Sequence, residues 1–229
     1  MLLRSALATA VLLACTPAIA ADAAAKPADE AGRLAYTIGY QLGMSAQRQG
    51  FAVNPEAAAQ GMRDALAGGG SKLTPDEMRA ALEGYAKKQG EQRDAQAAAN
   101  LKAGQAFLEE NKKKPDIKTT ASGLQYKLIE PGKGRQPGPE DTVTVNYRGT
   151  LINGKEFDSS AKHGKPISFK VGQVIKGWQE AVQLLREGGK LQAFIPSELA
   201  YGAGGAPGAI GPNEALIFDI ELVSVSSAK

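Results

Sequence analysis

No proline interrupts residues 76 to 114, and from residue 86 onward that stretch is dominated by Ala, Gln, Glu, Lys and Arg. Such residues favour helix, while few of them bury apolar surface. One continuous helix over 75–114 follows, reaching roughly 55–60 Å at 1.5 Å per residue. Its middle lacks an apolar stripe, so the spacing predicts a solvated strut that separates whatever precedes it from whatever follows. The first turns carry Met78, Leu82 and Tyr85, a face suited to neighbouring helices.

The two sides of this divider differ in composition. Residues 21–118 hold five aromatics and three Met, whereas residues 119–229 hold eight aromatics and no Met; the aromatic core belongs to the second side. The first side reads as helices near 29–48 and 55–67, because Leu34, Ile38 and Leu42 recur every four residues. Asn54 before Pro55 and Thr74 before Pro75 are cap-then-proline starts, and Gly68, Gly69 and Gly70 break the pattern. Short amphipathic helices with little aromatic mass gain stability by pairing with a copy of themselves. Gly39 and Gly43, four apart in the first helix, suit close approach of a second helix or packing within the chain. The second side reads as strands at 124–129, 142–151, 167–171, 191–196 and 215–225, with Val143, Val145 and Tyr147 alternating with polar neighbours. One helix over 174–187 supplies Val174, Ile175, Trp178, Ala181, Val182 and Leu185 to the sheet. The fold class is α+β, a curved antiparallel sheet around one helix preceded by an all-helical module.

Several function classes drop out on composition. With 27 Lys plus Arg against 24 Asp plus Glu, the formal charge of +3 is far below the basic excess of a nucleic-acid binder. A single His and a single Cys leave no cluster for a metal, no internal disulfide and no Cys/His catalysis. The glycine-rich stretch 203–210 lacks the spacing of a phosphate loop. No cofactor is expected.

Residues 1–20 read as a signal peptide: Arg4 precedes an apolar run over 6–15, and Ala18 and Ala20 form a small-x-small cleavage site, so the mature chain begins at Ala21. The run is too short for a permanent membrane span. The expected location is the periplasm, where a cysteine-free mature chain is at home. The alternative is an outer-membrane lipoprotein, because LLAC at 12–15 also has the form of a lipobox that would be lipidated on Cys15.

Five blocks then carry a resemblance: VNYRGTL at 145–151, GKEFDSS at 154–160, GQVIKGW at 172–178, LAYG at 199–202 and IGPNEALIFDIEL at 210–222. In this order and spacing they resemble the FKBP-type peptidyl-prolyl cis-trans isomerases. On the first side, LAYTIGYQLG at 34–43, VNPE at 53–56, GMRDA at 61–65 and AFLEENK at 106–112, with SGLQY at 122–126, resemble the dimerisation segment of the macrophage infectivity potentiator (Mip) and FkpA branch. The resemblance implies a signal peptide over 1–20, a helical dimerisation module over 21–74, a connecting helix over 75–114 and an isomerase domain over 119–229. It also implies a homodimer.

The same resemblance implies the site. Tyr147, Phe157, Phe169, Val174, Ile175, Trp178, Tyr201, Ile210 and Phe218 would form an aromatic cup with Trp178 as its floor. The N–H of Ile175 and the hydroxyl of Tyr201 would bond substrate carbonyls. Asp158, bonded to the Tyr147 hydroxyl, would polarise the site without acting as a general base. Phe157, Asp158 and Tyr201 are the expected catalytic residues, and Phe194 is read as core. The implied activity is isomerisation of X–Pro bonds in unfolded exported proteins, with rapamycin-type macrolides as expected inhibitors. The alternative is a holdase chaperone or surface virulence factor that captures clients in the dimer cleft. Ala206 replaces a flap His of many relatives, Gly211-Pro212 replaces their Pro-Pro, and His163 falls where some carry an Arg that pairs with the carboxylate; it is assigned no role. The link from Tyr201 to Phe218 is too short for the chaperone insert some relatives carry there.

Overall fold

The helices that precede the sheet begin where the sequence offers a side-chain acceptor to the free N–H groups of a first turn: Asp29, Asn54 and Thr74. A computed structural model describes residues 26–48 and 50–227; the expected signal peptide and Cys15 lie outside the described residues. The chain divides into two units, one up to Ser71 and one from Lys72. In the first, α1 spans Glu30–Arg48 and α2 spans Pro55–Leu66, with Asn54 Oδ1 accepting the Ala57 N–H at 2.9 Å to start α2. Neither helix buries a single residue within this unit. Leu34, Ile38 and Leu42, the four-residue repeat, remain 53–62% exposed.

The second unit opens with α3, Pro75–Asn111, 37 residues long. Thr74 and Glu77 form a reciprocal capping box, each satisfying a backbone N–H of the other. The strut expected from the sequence accounts for the front of this helix and not for its back. Toward its C-terminus Gly104 and Asn111 are buried, and Phe107 packs on Phe194 with ring centres 5.9 Å apart. Asn111 Nδ2 donates to Gln125 Oε1 at 3.0 Å, and Gln125 Nε2 donates to the Leu108 carbonyl at 2.9 Å. Both amides are almost fully buried, so each needs the other to offset lost hydration. Phe194 is therefore core, in the layer between sheet and α3.

Seven strands follow: β1 Lys118–Thr119, β2 Gln125–Glu130, β3 Thr142–Leu151, β4 Glu156–Ser159, β5 Ile167–Lys170, β6 Lys190–Ile195 and β7 Leu216–Ser226. They form one antiparallel sheet in the order β1-β2-β6-β7-β3-β4, with β5 also paired to β3. The short β1 and β4 were not expected from alternation, which needs more residues than they have. Helix α4, Lys176–Gln183, packs Trp178, Ala181 and Val182 into a core built on Val143, Val145, Leu191, Ile195, Leu216 and Leu222. It is shorter at both ends than the expected 174–187. Gln179 Nε2 takes the Val174 carbonyl at 2.7 Å, which leaves Ile175 as the cap, and the chain turns away after Leu184 to a left-handed Gly188.

Candidate functional site

The site arises where the second edge of β3 is shared between two strands. β5 pairs with residues 142–145 of β3, and β4 pairs with residues 148–150, leaving Tyr147 between them. There the Ser160 side chain substitutes for a strand: its Oγ accepts the Tyr147 N–H at 3.1 Å and its hydroxyl donates to the Tyr147 carbonyl at 3.3 Å. The backbone is satisfied and the strands splay, so the Tyr147 ring and the β4 residues Phe157 and Asp158 face one hollow.

That hollow, about 360 Å³, is lined by Tyr147, Phe157, Asp158, Phe169, Val174, Ile175, Trp178, Tyr201 and Phe218. Nine of the ten residues expected from the sequence thus come together. Ile210 does not line it: this residue of the loop 202–213 is buried in the core cluster. Ile167 and Gln173 line the hollow and were missed. Ile167 could have been found, since it shares a strand face with Phe169 two residues on; Gln173 carries no comparable signal.

Trp178 is 6% exposed and holds three rings edge-on: Tyr147 at 5.3 Å and 89°, Phe169 at 5.3 Å and 71°, and Phe218 at 5.1 Å and 85°. Phe157 stands on Phe218 at 5.5 Å and 84°. Edge-to-face contacts set positive ring edges against negative faces, which fixes the orientation of each ring. The arrangement depends on Gly149 of β3. A Cβ there would lie 2.6 Å from Phe157 Cζ and 2.7 Å from Phe218 Cε1; the strand is bare where the two rings cross it.

Polar groups sit at the rim. The Tyr147 hydroxyl donates to Asp158 Oδ2 at 2.5 Å, the bond expected from the sequence, and the Ser159 N–H donates to Asp158 Oδ1 at 2.8 Å. Burial first, and then the Asp158 carboxylate, push the Tyr147 phenol far above its ordinary range. His163, given no role on sequence, has Nε2 3.4 Å from Asp158 Oδ1. Neither the N–H of Ile175 nor the hydroxyl of Tyr201 has a hydrogen-bond partner among the described residues. Both are available to a ligand. No group of three or more metal-ligating side chains occurs among the described residues.

The comparisons with known proteins agree with this geometry. Residues 133–223 match the family of FKBP-type peptidyl-prolyl cis-trans isomerases, and residues 31–128 match the domain amino terminal to such isomerases. The chain is 46% identical to the outer membrane protein MIP of Legionella longbeachae, over 94% of each chain. It is 42% identical to the peptidyl-prolyl cis-trans isomerase Mip of Coxiella burnetii, over 90% of this chain and 91% of that one. The crystal structure of FkpA from Escherichia coli superposes with a TM-score of 0.64 at 37% identity, covering 88% of this chain and 99% of the other. Because the likeness runs through the helical half as well as the sheet, the chain belongs to the FKBP-type peptidyl-prolyl cis-trans isomerases of the Mip and FkpA branch, enzymes that act on proline-containing polypeptides.

Proposed function

We propose that the hollow seats the proline ring on Trp178 and accelerates rotation about the preceding amide by withholding water from it. Uncatalysed rotation breaks amide resonance against a barrier of roughly 18–20 kcal/mol. The planar amide has a charge-separated carbonyl that water stabilises, whereas the twisted transition state has lost most of that separation. A dry, ring-lined surface favours the twisted form over the planar one, which is catalysis by differential binding. The observation that carries this reading is Trp178, nearly buried in the lining of an open hollow and met edge-on by three rings. Tyr147, Phe157, Phe169, Val174 and Phe218 are the walls. The free donors of Ile175 and Tyr201 hold flanking carbonyls, Asp158 polarises the rim, and Ile210 anchors the loop 202–213 in the core. A purely client-holding role would need no such ring arrangement, so it is not the reading adopted. The test is a proline-limited refolding assay beside a short-peptide assay on residues 21–229: acceleration of both is expected, and absence of turnover on the peptide overturns the assignment.

The physiological form is a homodimer joined through the first unit. The apolar face of α1 is exposed in the single chain, and a Cβ added at Gly39 or Gly43 would meet nothing within 4 Å. Packing within the unit therefore does not use those glycines, and a second helix has room to approach them. Substrates are exported polypeptides in the periplasm, reached through the leader at 1–20 or through a lipid on Cys15; no described helix is long and apolar enough to cross a membrane. The mass of the membrane-extracted protein distinguishes the two. The hollow also has the chemistry to take rapamycin-type macrolides.

A further inference from the structure

The C-terminal half of α3 lies on the loop 202–213, which follows Tyr201 of the hollow, and its contacts repeat with the helix. Arg93 Nη2 donates to the carbonyls of Ala203 and Gly204 at 3.3 and 3.2 Å. The Ala97 carbonyl accepts from Asn213 Nδ2 at 3.3 Å, and Asn100 Nδ2 donates to the Pro212 carbonyl at 2.8 Å. One and two turns on, Gly104 faces Ala215 and Phe107 faces Phe194. Positions 93, 97, 100, 104 and 107 make one face, since residues three and four apart are neighbours on a helix. The front of that face grips the loop, and the back grips the sheet.

The loop needs the grip. Residues 202–213 contain five glycines. Their internal backbone ties include the paired bonds between Ala206 and Ile210, both 2.9 Å, and the Asn213 N–H to Gly202 carbonyl bond at 2.8 Å. A segment with five glycines gives up much backbone freedom when it is ordered, so contacts from outside it matter. Asn213 has a φ of 55°, the one positive value at a non-glycine position among the described residues, and its amide reaches α3 from that conformation. A Cβ at Gly211 would sit 3.2 Å from Asn100 Nδ2. The Gly-Pro pair at 211–212, a departure from the Pro-Pro of many relatives, thus leaves room for the helix amide.

We propose that α3 is a positioning element of the isomerase site: Asn100 and Asn213, with Arg93, hold the loop 202–213 and the adjoining Tyr201 where a substrate meets them. The inference rests on the assignment of the hollow as the prolyl site. These residues touch no substrate, and they act on binding rather than on the twisting step.

The experiment uses residues 21–229 carrying Asn100→Asp, which sets a carboxylate against the Pro212 carbonyl, and Asn213→Gly, which keeps the left-handed backbone and removes the amide. Each raises KM for a short proline peptide about three- to tenfold, the range expected for one lost hydrogen bond, with kcat within twofold of the parent. Hydrogen exchange at the Ala206 and Ile210 amides accelerates by a similar factor. Gly211→Ala raises KM in the parent and has no further effect in an Asn100→Ala background, because the clash has been removed. Unchanged KM together with unchanged exchange in the loop overturns the proposal while leaving the isomerase site intact, as does strict additivity of the Gly211 and Asn100 variants. If the parent shows no turnover, the site assignment falls, and exchange in the loop still reports whether α3 holds it.

Discussion

Gly149→Ala tests whether the rings of the hollow are set by the bare strand beneath them. Gly149 pairs with Asp158 of β4 on one side and Phe218 of β7 on the other, so the added methyl projects into the crossing of two rings. It would meet ring carbons of Phe157 at 2.6 and 2.8 Å and of Phe218 at 2.7 Å. Carbon pairs settle at about 3.5–4.0 Å, so the rings must retreat by about 1 Å. Phe218 has nowhere to go, being 4% exposed with Trp178 at 5.1 Å. Phe157 is only partly buried and swings outward. Overpacking of this kind destabilises by about 1–3 kcal/mol. With a urea m-value of about 2 kcal/mol/M, the midpoint falls by about 0.5–1.5 M at unchanged m. Loss of Phe157 from the wall lowers kcat/KM on a short peptide roughly tenfold or more, as expected for a displacement of about 1 Å in a preorganised site. Adding Phe157→Leu to Gly149→Ala recovers much of the midpoint and none of the turnover. A Gly149→Ala protein with parental midpoint and parental turnover would refute the reasoning, because the rings would then be shown to owe their places to something else.

Phe157→Ala and Asp158→Ala each lower peptide turnover roughly tenfold, about 1.4 kcal/mol of transition-state stabilisation, while light scattering of an aggregating client is suppressed as by the parent; joint loss of both activities contradicts separate sites. The raised phenol of Tyr147 sets an alkaline limit. Above about pH 10 an unfolded tyrosine releases its proton while the folded one keeps it, so the folded state binds more protons and stability falls as pH rises. Tyr147→Phe removes that part of the fall in alkaline denaturation curves, and turnover of the parent stays flat over about pH 6 to 9 because no proton moves in the reaction. Ile38→Asp on the exposed face of α1 yields a monomer by light scattering at micromolar concentration with short-peptide turnover retained; a parental protein that is itself monomeric there refutes the dimer.

Much of the site was legible through the five ordered blocks and the family they resemble, whereas local pattern alone marked Trp178 and Tyr147 only as inward-facing. Trp178 falls on the inward face of a helix with Ala181 and Val182, Tyr147 continues the alternation of Val143 and Val145, and the order of the blocks brings Phe157, Tyr201 and Phe218 to them. What was not legible depends on contacts between distant segments. His163 meets Asp158 through a turn whose path no periodicity encodes. Ile210 is apolar and lies in the loop, yet packing drew it into the core instead of the wall. The back of α3 was read as solvated because its contacts begin with Arg93, Ala97, Asn100 and Gly104, and its large apolar side chains, Leu101, Phe107 and Leu108, come only near its end. Those first contacts are invisible to a hydrophobic-pattern search, since they are made through amides, a guanidinium and a missing side chain.

The polar inventory of the hollow follows from the same physics as its rings. A donor aimed at the oxygen of the rotating amide would stabilise the charge-separated planar form and raise the barrier, so donors in an isomerase of this kind must serve the neighbouring carbonyls. Ile175 N–H lies at the cap of α4 and the Tyr201 hydroxyl at the root of the loop, both residues line the hollow, and neither donor is consumed internally. Asp158 has no proton to take, since rotation about the amide transfers none; its oxygens accept instead from the Tyr147 hydroxyl and the Ser159 N–H, with His163 close to the second. A carboxylate so engaged contributes a fixed field at the rim, and such a field matters only if the amide beside it is dry. Replacement of Asp158 by Asn, which keeps the shape and removes the charge, therefore separates the two contributions. A loss smaller than that of Phe157→Ala in kcat/KM makes desolvation the larger effect, whereas a greater loss makes the carboxylate's field the principal source of rate and overturns the account of the hollow as a solvent-stripping surface.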